Sequence, residues 1–218
     1  MKKSITILTG PQGSGNHLFS KVFSLHGKIS GWPANLTSET WVGHDMEPYN
    51  TIWNSPDGIE SINWSGDYHV ISVSCPYVFE EMLYKPNYKR IVDALEARGF
   101  HVQFAIIGRD QNILRHQQCR VRDGATVDYF LDDLPYLISQ NHFFVSQELL
   151  YLYGKEYVMS IGDLLNIPVV TDERLDLVLS DDANQKYIKY ADHTEQDNEV
   201  WKASGMDKYI DIIDNDGC

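Results

Sequence analysis

Ile5-Thr6-Ile7-Leu8-Thr9-Gly10-Pro11-Gln12-Gly13-Ser14-Gly15-Asn16-His17-Leu18 is the stretch that decides the fold. Its first four residues are a short, largely β-branched run, which predicts a strand. A glycine-rich turn follows. Leu18, Phe19, Val22, Phe23 and Leu25 then recur at helical spacing, predicting a helix over 16–26 with Gly27 as its stop. A strand that runs through glycines into a helix gathers main-chain N–H groups at one point, and the helix dipole adds positive potential there. Glycine has no Cβ to hold an anion away. The competing reading is a tight turn whose glycines only let helix and strand pack closely.

Further along, Tyr68–Val73 reads as a strand ending at Ser74-Cys75-Pro76, and Tyr88–Arg98 as an amphipathic helix closed by Gly99. The near-continuous apolar run Val102–Ile107 predicts a strand buried on both faces, as in a parallel sheet. Gly108-Arg109-Asp110 is its exit, and Gln111–Arg122 is the next helix. Asp132–Tyr153 predicts one or two helices, Glu156–Ser160 a late short strand, and 169–218 an acidic tail of helical pieces. Residues 28–67, rich in Gly, Pro, Asn, Ser and Trp, show no sustained period, which suggests binding loops or a lid. The alternation predicts one α/β domain over 1–218, built in three layers as a mostly parallel sheet with helices on both faces.

Composition narrows the function. The net charge is −13 and no lysine or arginine cluster offsets it, which argues against a nucleic-acid partner. No apolar run approaches the ~20 residues of a membrane span, and the N-terminal run is too short and polar for a signal peptide. Cys75, Cys119 and Cys218 are odd in number and far apart, fitting neither a disulfide framework nor a zinc site. Together these features predict a cytoplasmic protein in a reducing compartment.

Gly10, Pro11, Gln12, Gly13, Ser14, Gly15, Asn16 and His17 have the glycine spacing of the phosphate loop G-x-x-x-x-G-K-[ST]. Asn16 stands where that loop has its lysine, and His17 where it has the hydroxyl that holds Mg²⁺. Phosphate binding needs only the amides. Phosphoryl transfer leans on the lysine and the metal.

Three segments, in order, resemble the sulfotransferases of the P-loop fold: Thr9–Leu18, Ala105-Ile106-Ile107-Gly108-Arg109-Asp110, and Glu156–Pro168. In that family the turn lacks the lysine and holds the 5′-phosphosulfate of PAPS (3′-phosphoadenosine 5′-phosphosulfate). The resemblance implies that Gly10–His17 surround that group and that Arg109 pairs with the 3′-phosphate, a role suited to a permanently charged planar fork. A serine eight residues beyond the arginine is the family's second 3′-phosphate ligand; Gln117 stands there. The implied activity is metal-independent transfer of a sulfuryl group to a hydroxyl or amine on a small-molecule or carbohydrate acceptor, with 28–67 as acceptor-side loops.

Ser74 occupies the place of the family's histidine base, and it cannot serve unaided. His44 oriented by Asp45 is the substitute candidate, with Glu39 another; a solvent-exposed loop histidine is the plain alternative. Trp32, Trp41, Trp53 and Trp64 either staple the long segment to the core or stack on a ligand. Two further functions remain open. One is a nucleotide or nucleoside kinase with a degenerate loop and Arg115, Arg120 and Arg122 as lid arginines; the other is a non-catalytic nucleotide-binding module.

Overall fold

In the computed structural model β1, Ser4–Pro11, lies between two parallel partners and carries the glycine turn at its carboxyl end. Residues 3–31, 49, 51–54, 56–79, 82–122 and 124–180 are described. The chain divides into two units, Met1–Leu179 and Ser180–Cys218, and the described residues fall almost wholly in the first.

After β1 come α1 (Asn16–Ser24), β2 (Ile29–Ser30), the short α2 (Thr51–Asn54) and a 3₁₀ turn at Pro56–Ser61. β3 (Tyr68–Cys75), a small hairpin of β4 (Tyr77–Phe79) and β5 (Met82–Tyr84), α3 (Tyr88–Ala97) and β6 (His101–Gly108) follow. The unit closes with α4 (Gln111–Arg122), α5 (Val127–Ser139), β7 (His142–Ser146), α6 (Gln147–Leu165) and α7 (Glu173–Ser180). The main sheet runs β2-β3-β1-β6-β7, every pairing parallel. Parallel neighbours bring the carboxyl ends of β1, β3 and β6 to one edge, where ligands of open α/β sheets bind.

Side chains alternate across β1 and so build two cores. Ile5 and Ile7 join Ile71, Val73, Phe104 and Ile106 beneath α3 and α5, through Ile91, Leu95, Phe130 and Leu137. Leu8 joins Val70, Ala105, Ile107 and Val145 beneath α1 and α6, through Phe19, Val22, Phe23, Val158 and Ile161. Helices thus cover both faces, and the predicted three-layer architecture is the observed one.

Four expectations need correction. The late strand predicted at Glu156–Ser160 is part of α6, because Val158, Ile161 and Leu165 bury one helical face. The late strand is instead His142–Ser146, inside the stretch expected to be helical; Phe143, Phe144 and Val145 pair with β6. α1 stops at Ser24, capped by Leu25, so Gly27 does not end it. Segment 28–67 is not free of regular structure, since it supplies β2, α2 and the 3₁₀ turn.

The cysteines also depart from expectation. Cys75 is a free, buried thiol, whereas Cys119 is disulfide-bonded, so the cysteines no longer argue for a reducing compartment. No helix among the described residues is long and apolar enough to cross a membrane.

Candidate functional site

Gly13 and Gly15 adopt φ of 88° and 105°, in the left-handed region that side chains disfavour, and so let the chain turn from β1 into α1. What matters is where the peptide groups then point. The Gly10 carbonyl accepts from Asn16 Nδ2 (3.4 Å), and the Pro11 carbonyl from Ser14 N–H (3.1 Å). The Gln12 carbonyl accepts from Gln118 Nε2 (2.7 Å), the Gly13 carbonyl from Arg109 Nη1 (2.7 Å) and the Gly15 carbonyl from Phe19 N–H (3.0 Å). The donors are treated in the opposite way. Gly15, at the N-cap of α1, supplies no side-chain cap, and no acceptor among the described residues meets the N–H groups of Gly13, Gly15 or Asn16. Carbonyls held by the protein and amides left open make a cradle for an anion.

Arg109 supplies its charge. Asp110 turns away to cap α4, its Oδ1 accepting from Asn112 N–H (2.9 Å) and Ile113 N–H (3.0 Å). The guanidinium swings instead onto the turn, where Nη1 donates to both the Gly13 carbonyl and Gln117 Oε1. The structure therefore brings the turn together with Arg109, 96 residues from Gly13, and with Gln117, eight residues further on.

Several turn residues face inward. Gln12 is buried, its Oε1 accepting from Thr126 Oγ1 (3.0 Å). Asn16 Nδ2 reaches Ser74 Oγ (2.9 Å), so the residue in the lysine position ties α1 to the end of β3 and engages the serine in the base's place. Ser14 Oγ and Asn16 Oδ1 are buried without a partner. Such atoms are costly unless something meets them.

Sequence reasoning missed the contribution of the β7–α6 junction. The Gln147 carboxamide lies over Gly15, where an added Cβ would stand 3.3 Å from its Cδ, and its Oε1 is a third buried, unpartnered oxygen. Glu148 accepts from Asp110 N–H (2.9 Å) and Ser146 Oγ (2.8 Å). Burial works to raise its pKa, but these hydrogen bonds and the Arg109 charge outweigh it and hold the carboxyl below its usual range. Nothing periodic in the sequence marks Gln147 or Glu148, because the strand that positions them is short and lies within apolar sequence.

His44, Asp45, Glu39, Trp32 and Trp41 lie outside the described residues. Trp53 is buried, and Trp64 stacks on Tyr49 with centroids 5.2 Å apart and donates to the Ile59 carbonyl (3.1 Å). Both act as staples. Arg115 pairs with Asp128 (2.9 Å) on the surface. No cluster of three or more His, Cys, Asp or Glu suited to a metal occurs among the described residues. A cavity of about 280 Å³ opens at the other end of the sheet, lined by Ser4, Asp67, Tyr68, His101, Gln103, Leu165 and Asn166.

A parallel sheet whose central strand leaves through an open-amide glycine turn defines an α/β domain of P-loop type. The crystal structure of mouse sulfotransferase SULT7A1 complexed with PAP is similar to it, at 14% sequence identity and a TM-score of 0.46. The match covers 83% of this chain and 65% of that one, so the chain spans less than two thirds of its length. That likeness concerns the fold alone. No family model and no curated protein matches the sequence.

Proposed function

We propose that this chain is a sulfotransferase-like enzyme that takes a sulfuryl group from PAPS to a hydroxyl or amine of a small-molecule or carbohydrate acceptor in the cytoplasm, without a metal. One observation carries the reading. Carbonyls of the turn are engaged by the protein, the N–H groups of Gly13, Gly15 and Asn16 meet no acceptor among the described residues, and a guanidinium stands on the same turn beside an amide side chain. A site that offers amides and arginine in place of a lysine suits binding of a group already activated for transfer. In such a transfer the sulfur–oxygen bond to phosphate breaks as a bond from sulfur to the acceptor forms, and the acceptor loses a proton. The open N–H groups would stabilise the charge gathering on the leaving oxygen. Arg109 and Gln117 would hold the second phosphate, and His44 with Asp45 would take the proton.

Thermal shift tests the assignment. Adenosine 3′,5′-bisphosphate without magnesium is expected to raise Tm, with ~2.7 kcal/mol of stabilisation at a hundredfold excess over Kd. Stabilisation by Mg-ATP alone would instead identify a degenerate kinase. No response to either would leave a module without nucleotide chemistry.

A further inference from the structure

Gln118 is fully buried on α4, and both ends of its carboxamide are used: Nε2 donates to the Gln12 carbonyl (2.7 Å) and Oε1 accepts from Thr126 N–H (2.8 Å). One partner only accepts and the other only donates, so the orientation of the amide is fixed. A trans peptide is planar, with C=O and N–H pointing in opposite directions. Drawing the Gln12 carbonyl toward α4 therefore aims the Gly13 N–H the other way, among the open donors of the turn. Gly13 has no Cβ and a φ of 88°, so its own backbone does little to prevent that peptide from flipping. A flipped peptide would present a carbonyl to the anion.

We infer that Gln118 is a positioning residue of the anion site, setting the polarity of the Gln12–Gly13 peptide by holding its carbonyl. The inference rests on reading the turn as an anion cradle. It goes further in assigning the preorganisation of one donor to one side chain outside the turn.

The test follows the Gly13 amide by ¹H–¹⁵N NMR while inorganic sulfate or adenosine 3′,5′-bisphosphate is titrated. In the wild type both ligands shift it. Gln118→Leu weakens binding by about tenfold or more. Gln103→Leu is the control, since Gln103 is likewise buried with two hydrogen bonds, to Thr6 Oγ1 and the Leu165 carbonyl, but lines the opposite end of the sheet. It loses thermal stability and binds as the wild type does. Equal loss of affinity in the two variants, or wild-type affinity in a folded Gln118→Leu, overturns the inference.

Should Gln118→Leu not fold, Gln118→Glu reads the same point through pH with sulfate as the ligand. A buried carboxyl stays protonated to higher pH, and in that form it can still donate to the Gln12 carbonyl. Affinity relative to wild type is then retained at low pH and falls about tenfold as the carboxyl ionises. A flat profile overturns the proposal. If sulfate binds with this dependence and the bisphosphate does not bind, the nucleotide reading fails while the positioning role stands. If neither ligand moves Gly13 in the wild type, both fall.

Discussion

The two ends of the parallel sheet each bury a glutamine, and they treat polar groups in opposite ways. At the amino end Gln103 Nε2 is shared between Thr6 Oγ1 (2.9 Å) and the Leu165 carbonyl (2.7 Å), so β1, β6 and the end of α6 are joined. Nearby, buried His69 is held through Nδ1 by Tyr49 (2.9 Å) and packed edge-on against Trp64 and Phe100, although its Nε2 is buried without a partner. At the carboxyl end Gln118 is as well satisfied, but the groups around it are not. Ser14 Oγ, Asn16 Oδ1 and Gln147 Oε1 are buried without partners, and three backbone donors of the turn are open. One end uses its polar groups to hold strands together. The other uses them to hold a peptide turn in an orientation that only a ligand completes.

The comparison breaks most readily at Arg109. Arg109→Met removes the charge and the grip on the Gly13 carbonyl, and is expected to cut affinity for adenosine 3′,5′-bisphosphate about a hundredfold, ~3 kcal/mol of charge-assisted hydrogen bonding. Arg109→Lys should recover little, because an ammonium lacks the planar fork. Isothermal calorimetry reads both. Affinity unchanged in either variant would show the guanidinium to be only a strap on the turn.

The amino end should answer to pH instead. Burial, the largest cause, together with the charge of Lys3, pushes the His69 pKa down from 6.5 to about 4. The folded state thus favours the neutral imidazole. Its contribution to stability is fully present above pH 6.5 and is lost as pH falls toward about 4, an effect on the order of 3 kcal/mol. Denaturant melts between those pH values should show the decline, and His69→Gln should flatten it. A wild-type profile already flat there would mean that the imidazole is not neutral in the fold.

These two regions also differ in how legible they were. The central strands could be read because long apolar runs such as Val102–Ile107 bury both faces. Arg109 and Gln117 are placed together only by the resemblance, which sets a second ligand eight residues beyond the arginine. Gln118, Thr126 and Gln147 could not be read. Their work is done by contacts with residues more than a hundred positions away, such as Gln118 to the Gln12 carbonyl and Thr126 to the Gln12 side chain, and such contacts impose no period on the sequence. The edge strand His142–Ser146 was hidden for a different reason. It is five residues long, pairs on one side with β6, and sits within apolar sequence that serves helix and strand equally.

Gln103→Leu sharpens the comparison at moderate size. It leaves the Thr6 hydroxyl and the Leu165 carbonyl without their partner, a loss of ~1–3 kcal/mol by chemical denaturation, with ligand affinity unchanged. A variant that loses affinity along with stability would show the two ends to be energetically coupled through β1 and β6.

The smallest effect belongs to Arg115, and it decides between enzymes. Its partner Asp128 is largely exposed and Arg115 itself about one third so, which makes the pair a surface ion pair worth about 1 kcal/mol or less. A lid arginine would have to leave Asp128 to reach a phosphate, whereas Arg109 already stands on the turn that would hold one. Arg115→Ala should therefore lower Tm slightly and leave adenosine 3′,5′-bisphosphate binding intact. If it abolished nucleotide binding while Arg109→Met did not, the charge that matters would sit on α4 rather than at the end of β6, and the kinase reading would displace the sulfotransferase-like one.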